Sequence, residues 1–185
     1  MYGKRVQLNC DIILNDEQFD ENGNPIGGDG VVYSWSPNCP SSRGLCLYGN
    51  GFNIKGAYYN NIETSEISLF SERAFRVENV NFENSYFCAA SVKFIAPLID
   101  KIEKVNTHNG TIVGKEGVSA FTYDSNSLIG CNNFFNVRGG HYISGFISRI
   151  NSLDRHTIFQ NCNNYGNISS SGNSAYKTSN RSRCA

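Results

Sequence analysis

The chain lacks a net charge, a long apolar segment and a strongly charged surface composition. Its 16 basic and 16 acidic residues balance, which removes the long-range attraction that draws basic proteins to nucleic acids and anionic membranes. No run of about 20 apolar residues is present, so the sequence predicts no insertion into a bilayer. Only 17% of residues are charged, below the usual share of about a quarter. We therefore expect neither a nucleic-acid partner nor a membrane span.

Metal and cofactor motifs are also missing. The chain has three histidines and seven cysteines, and no two cysteines have C-x-x-C spacing, so we expect no zinc site and no cofactor. The run from Asp20 to Asn24 begins like a calcium loop, but Pro25 and Val31 stand where such a loop needs glycine and glutamate. Cys39 and Cys46 are the first candidates for a disulfide if the chain is secreted.

Asparagine and a regular spacing of short β-type segments are what the chain has instead. Asparagine makes up about one residue in seven. Four similar tetrapeptides recur at nearly equal intervals along the chain. They are Ile67-Ser68-Leu69-Phe70, Val92-Lys93-Phe94-Ile95, Val118-Ser119-Ala120-Phe121 and Ile143-Ser144-Gly145-Phe146. Their period of about 25 residues predicts a coil in which each turn of chain stacks on the one before it.

A second repeated pair supports this coil. Its members are Val80-Asn81, Val105-Asn106, Cys131-Asn132 and Cys162-Asn163, and the last of the three intervals is the longest. We expect the first member of each pair to point inward, with the two cysteines serving as small buried residues. We expect the asparagines to sit at a corner in left-handed backbone and to hydrogen-bond along the coil axis. The long interval predicts an insertion at residues 152–157.

These patterns predict an all-β protein, a right-handed parallel β-helix with rungs of about 25 residues. Residues 45–176 form the repeats, residues 177–185 a tail, and residues 1–44 a strand and capping loops. Within that cap, the alternation from Val6 to Leu14 predicts one strand, and residues 31–35 predict another. The N-terminal residues contain no apolar core of a signal peptide, so a signal was removed or the chain is a piece of a longer protein. The C-terminal end looks uncapped, which suggests further rungs of a larger parent protein or self-association.

Several segments resemble the GLUG-type repeats of bacterial and microbial surface β-helix proteins. The segments are LYGNGFNIKGAYYNN (47–61), YISGFIS (142–148) and FQNCNNYGNIS (159–169), preceded by VQLNCDIILND (6–16) and WSP (35–37). The chain departs from that repeat at Ser148 and at residues 92–98, which have lost both glycines. The resemblance implies a right-handed β-helix at the cell surface or in secreted form, with adhesion or scaffold roles rather than catalysis.

Two groups of residues are candidates for binding a glycan or a surface protein. Arg155 and His156 lie in the inserted loop, and insertions on solenoids often form the working face. His108, Phe134 and Tyr165 each follow the repeated pair at the same distance, which predicts a stack of aromatic rings. The alternatives are a solvated loop and an aromatic stack that only fills the interior.

Enzymatic activity is the main alternative to a binding module, and a purely structural spacer is a third. Some β-helix proteins are polysaccharide lyases or hydrolases, which need clustered carboxylates and a basic residue. Here Asp100, Asp124 and Asp154 occur singly on different rungs. We therefore assign no catalytic residue and expect a non-enzymatic, adhesin-like or scaffold module.

Overall fold

The protein is a parallel β-solenoid of about four turns with rungs of about 26 residues. A computed structural model describes residues 4–36, 43–148 and 157–172, and contains strands but no helix in those ranges. The strands are β1 Arg5–Gln7, β2 Ile12–Ile13, β3 Gln18–Phe19, β4 Pro25–Ile26, β5 Leu45–Tyr48, β6 Asn53–Lys55, β7 Tyr58–Asn60, β8 Ala74–Glu83, β9 Tyr86–Ala89, β10 Val92–Lys93, β11 Ala96–His108, β12 Thr111–Ser119, β13 Thr122–Ile129, β14 Asn132–Asn133, β15 Asn136–Ser144, β16 Ile158–Gln160, β17 Asn163–Asn164 and β18 Ile168–Ser170.

The strands stack into two long parallel sheets. One has the order β1-β5-β8-β11-β13-β16, with β2 and β6 continuing alongside β8, and β14 and β17 continuing alongside β11. The other has the order β7-β9-β12-β15-β18, with β10 paired to β12. Only β3 and β4 form an antiparallel pair among the described strands. The expected all-β parallel coil is confirmed.

The register of the sheets reproduces both sequence repeats. Val80 pairs with Val105, and Val92 pairs with Val118, which in turn pairs with Ile143. The register also locates the longer interval. Thr122 pairs with Ile147 at the usual spacing of the repeat, whereas Ser127 pairs with Ile158 at the longer spacing, as the predicted insertion requires. The extra residues therefore fall between 147 and 158. Positions 149–156 and 173–185 themselves lie outside the described part of the chain.

The core is a continuous column of apolar side chains inside the coil. Phe94 stands at its centre and makes edge-to-face contacts with three other rings, Phe82, Phe87 and Phe135, at centroid distances of 5.0 to 5.4 Å. All four rings are fully buried. Aromatic pairs in this geometry add to the stabilisation that comes from burying their area.

The inner column of the second repeat forms as predicted. Val80, Val105 and Cys131 are fully buried, whereas Cys162, on the last described rung, is only half-buried. The thiols of Cys131 and Cys162 donate to the backbone carbonyls of Ile129 and Gln160, respectively. The interaction between the two neighbouring thiols lowers the pKa of Cys162 to about 7 and raises that of Cys131. Both thiols are free.

The N-terminal strands continue the coil but differ from the sequence prediction in detail. The single strand expected from Val6 to Leu14 is wrong, because β1 and β2 are separate and only Leu8 among the alternating residues is buried. β1 pairs in parallel with β5, and β2 with β6, so they cover the first rung's edge. No strand forms at residues 31–35, which instead hydrogen-bond through Tyr33 to the side chain of Asn15. Cys39 lies outside the described residues, and Cys46, its candidate disulfide partner, is free.

Left-handed backbone marks one corner of the coil, but not at the asparagines of the repeated pair. Five residues with φ between 51° and 84° occur two positions before the corresponding asparagine in successive rungs. They are Gly51, Asn79, Lys104, Gly130 and Asn161. The expectation that Asn81 and its equivalents adopt this conformation is therefore wrong. Those asparagines lie in strands, where the side chain instead points along the ladder.

Candidate ligand-binding face

A column of asparagine amides runs along the outside of the solenoid, and we call it the amide column. Its members are Asn53, Asn81, Asn106, Asn132 and Asn163. In every step the Nδ2 of one asparagine donates to the Oδ1 of the residue one rung earlier, at 2.8 to 3.1 Å. The predicted axial hydrogen bonding is thus confirmed. Each rung repeats the same polar group at the strand spacing of about 4.8 Å.

Asp11 ends the amide column and sets its direction. The Nδ2 of Asn53 lies 3.0 Å from both carboxylate oxygens of Asp11, and the Asn53 backbone N–H donates to the same carboxylate at 2.8 Å. An ionised carboxylate only accepts hydrogen bonds, so Asn53 must donate to it, and each later amide must donate in the same sense. The hydrogen bonds from Asn53, with help from Lys55, hold the pKa of Asp11 below its usual value.

A column of stacked rings runs beside the amide column, and we call it the aromatic column. It consists of His108, Phe134 and Tyr165, each two positions after an asparagine of the amide column. Side chains two positions apart in extended backbone point to the same side, which accounts for the shared face. The ring centroids of His108 and Phe134 are 4.7 Å apart, and those of Phe134 and Tyr165 are 4.6 Å apart. The interplanar angles are 22° and 15°, so the predicted stack is present.

The stack is a surface feature rather than core filling. Phe134 is 39% exposed and Tyr165 is 62% exposed. Because the rings cover each other's faces, the solvent meets mainly ring edges along the column. Tyr165, the last ring of the stack in the described residues, is the most exposed of the three.

Charged side chains occupy the earlier rungs of the same face. His108 pairs in register with Glu83, and Glu83 pairs with Lys55. Lys55 lies 3.5 Å from Glu83 and 3.4 Å from Asp11, and the charge of Glu83 is the main cause that raises the pKa of Lys55. The face therefore changes from ionic at its N-terminal end to aromatic at its C-terminal end. We refer to the amide and aromatic columns together as the strip.

A second polar ladder, inside the coil, was not predicted from the sequence. The Oγ1 of Thr107 donates to the Oδ1 of Asn133 at 2.7 Å, and Asn133 Nδ2 donates to Asn164 Oδ1 at 2.7 Å. Thr107 and Asn133 are fully buried. The signal was the Asn-Asn dipeptide repeated at 132–133 and 163–164, where one amide faces out and the next faces in. This inner ladder fixes the backbone that carries Phe134 and Tyr165, since Thr107 Oγ1 also accepts the Phe134 N–H.

The other candidate residues either lie away from the strip or lie outside the part of the chain that the structure describes. Arg155, His156 and Asp154 lie outside the described residues. Asp100 is held by Arg73, whose Nη2 is 2.5 Å from its carboxylate, and Asp124 stands in register with Leu98. Within the described ranges, no group of three or more His, Cys, Asp or Glu side chains is arranged to hold a metal ion. The carboxylate of Asp20 accepts three hydrogen bonds from Asn22 and Asn24 and so closes a turn.

Comparisons with known proteins identified no relative of this chain. No protein-family model matches the chain, and neither curated proteins nor solved structures gave a match. Nothing in the described residues forms a helix that is long and apolar enough to cross a membrane.

Proposed function

We propose that this protein is a non-enzymatic surface or secreted module that binds an extended polar partner, a glycan or a protein segment, through the strip. The observation that carries the proposal is the in-register pairing of an amide column with an exposed aromatic column. The resemblance of several segments to GLUG-type repeats supports a surface location and an adhesin-like or scaffold role.

The chemistry of the strip suits a ligand that is itself repetitive. An amide has two N–H groups, and the ladder uses one from Asn106 and one from Asn132, so each retains hydrogen-bonding capacity toward solvent. Successive rungs offer this group at about 4.8 Å. A chain with repeated hydroxyl or amide groups can therefore contact several rungs at once. Many weak contacts on one rigid surface add up without an ordering penalty for the protein.

Tyr165 is the most exposed ring of the strip and would supply the one open aromatic face. Sugar rings have apolar faces that pack on aromatic side chains, while their hydroxyls hydrogen-bond at the edges. The strip presents both kinds of group within two positions of the chain, as at Asn163 and Tyr165. Arg155 and His156, in the inserted loop that precedes this rung, are proposed as additional polar contacts.

A glycan array probed with the full-length protein tests this proposal. We expect binding by the wild type and a loss of at least about tenfold, equivalent to roughly 1.4 kcal/mol, in Tyr165→Ala. The matched control is Tyr33→Ala, which removes an exposed tyrosine 71% open to solvent on the N-terminal segment. Equal binding by wild type and Tyr165→Ala would count against the strip. Turnover of a polysaccharide by the purified protein would overturn the non-enzymatic assignment.

A further inference from the structure

A pocket of about 410 Å³ lies on a different side of the solenoid, at the corner within β12 and β15. Small residues line part of it, among them Ser91 and Gly117, which stand in neighbouring rungs. Gly117 has a φ of 62°, and a Cβ there would come within 3.1 Å of the Ser91 hydroxyl. The next rung carries Tyr142 at the equivalent position, also with positive φ. Both residues line the pocket, which thus has a glycine on one rung and a tyrosine on the next.

Lys93 lines this pocket and is the second residue of its tetrapeptide, a position that is not lysine in the other three. The second residue of the other three tetrapeptides is serine, at Ser68, Ser119 and Ser144. The Lys93 side chain is only 8% exposed. Burying an ammonium group is unfavourable unless it is well paired, so a lysine that merely replaced serine in a ladder would be costly. Lys93 therefore needs polar partners that the serines of the other tetrapeptides do not need.

The ammonium group of Lys93 is held in a fixed position. Its Nζ donates to Glu66 Oε2 at 2.5 Å and to Ser91 Oγ at 2.7 Å, and lies 5.4 Å from the ring centroid of Tyr123. Ser91 Oγ in turn donates to the Gly117 carbonyl at 3.1 Å. An ammonium group has three N–H donors. Two of them are used by Glu66 and Ser91. The third N–H is also on the ammonium group of Lys93, a residue that lines the pocket.

The charges around the pocket argue against an anionic ligand. Lys93 and Lys115 line it, but Lys93 contacts Glu66 and Lys115 contacts Glu63 at 3.1 Å. Glu116 adds a third carboxylate to these two ammonium groups. The sum is one negative charge, so an acidic sugar gains no attraction there. A polyhydroxylated neutral ring can accept from an ammonium group and donate to a carboxylate in the same site.

We propose that this pocket, the Lys93 pocket, binds an uncharged sugar ring. Tyr123 and Tyr142 line it and supply aromatic surface, while Lys93, Ser91 and Glu116 supply polar contacts. Its volume is within the range of about 300–1,000 Å³ found for small-molecule sites. The site is separate from the strip and does not depend on the strip binding anything.

Saturation-transfer NMR and calorimetry on the full-length protein test the assignment, with lactose, cellobiose and N-acetylglucosamine as neutral probes and galacturonate as the acidic one. We expect at least one neutral probe to bind, and to bind more tightly than galacturonate. Lys93→Ser restores the residue that the repeat carries elsewhere, so it should fold and lose affinity at least tenfold. Tyr142→Ala, at a position 51% exposed, should also weaken binding.

Tyr33→Ala is the matched control, because this exposed tyrosine lies outside both the pocket and the strip and its loss should leave binding of the neutral probes unchanged. Circular dichroism confirms that each variant keeps its β structure. The proposal is overturned if no neutral probe binds, if galacturonate binds more tightly, or if Lys93→Ser and Tyr142→Ala both bind like the wild type. A loss in Tyr165→Ala alone would assign the sugar to the strip instead.

Discussion

At the scale of single residues, the carboxylate of Asp11 determines the direction in which the amides of the amide column donate their hydrogen bonds. Asp11 can only accept hydrogen bonds, and the chain of amides from Asn53 to Asn163 follows from that constraint. In a column of asparagines alone, the amide oxygen and nitrogen of each side chain could be exchanged, because the two atoms are nearly the same size. The acid at the end of the column removes this ambiguity for every member. At the opposite end of the column, Asn163 donates its Nδ2 to Asn132, so its Oδ1 points away from the other amides.

The role of Asp11 predicts a specific dependence of stability on pH. Its folded-state pKa is lowered by the hydrogen bonds from Asn53, so its contribution is present above about pH 4, the usual value for an unfolded aspartate. That contribution is lost as the pH falls through the lower folded-state pKa. Urea unfolding at pH ~5 and ~2.5 should therefore show a larger loss for the wild type than for Asp11→Asn. Asp124→Asn is the control for a change of charge, and identical losses in wild type and Asp11→Asn would contradict the account.

The left-handed corner makes a second prediction at this scale. Gly130 has a φ of 63°, and a Cβ would meet only Lys104 Cγ within 4 Å, at 3.8 Å. Space is therefore available, and the loss in Gly130→Ala should come from backbone strain of about 1–2 kcal/mol. Gly130→Asn is the matched control, because asparagine tolerates this conformation and occupies it at Asn79 and Asn161. Equal stabilities of the alanine and asparagine variants in urea unfolding would show that strain is not the cause.

At the scale of elements, burial decreases toward the last described rung. Phe121 and Phe146 are the fourth residues of successive tetrapeptides and contact each other at 5.0 Å between centroids. Phe121 is fully buried, whereas Phe146 is half-buried. The exposed side chains of β16 and β18, such as Ile158 and Ile168, continue this trend. Apolar side chains on the last described rung are thus more exposed than those on the rungs before it.

Replacing the two phenylalanines measures this gradient. We expect Phe121→Ala to lower the free energy of unfolding by about 3–5 kcal/mol, the range for deleting a buried phenylalanine. Phe146→Ala should lose clearly less, because part of its ring already faces water. Phe75→Ala, at a position 42% exposed, is the control and should change little. If chemical denaturation finds the Phe146 variant as damaged as the Phe121 variant, the last rung is covered as deeply as the one before it.

At the scale of the whole molecule, the spacing of the repeats was enough to predict the architecture. The tetrapeptides and the Val/Cys-Asn pairs placed the inner column, the amide column and the aromatic column, since one register determines all three. The corner was misplaced because asparagine favours both left-handed backbone and axial ladders, and the sequence does not distinguish these uses at Asn79 and Asn81. The Lys93 pocket was not predicted, since it is formed by residues of several rungs that carry no common motif.

The stacking of His108, Phe134 and Tyr165 is the most direct test of the account, because the strip exists only if rungs of unequal length stack in this register. Aromatic NOESY spectra of the full-length protein should show cross-peaks between the rings of His108 and Phe134 and between those of Phe134 and Tyr165, whose centroids are 4.7 and 4.6 Å apart. The Phe134→Leu variant should lose both sets of peaks and assign them. Absence of these contacts in the wild type, or contacts of Tyr165 with a ring in another column, would contradict the register and with it the strip.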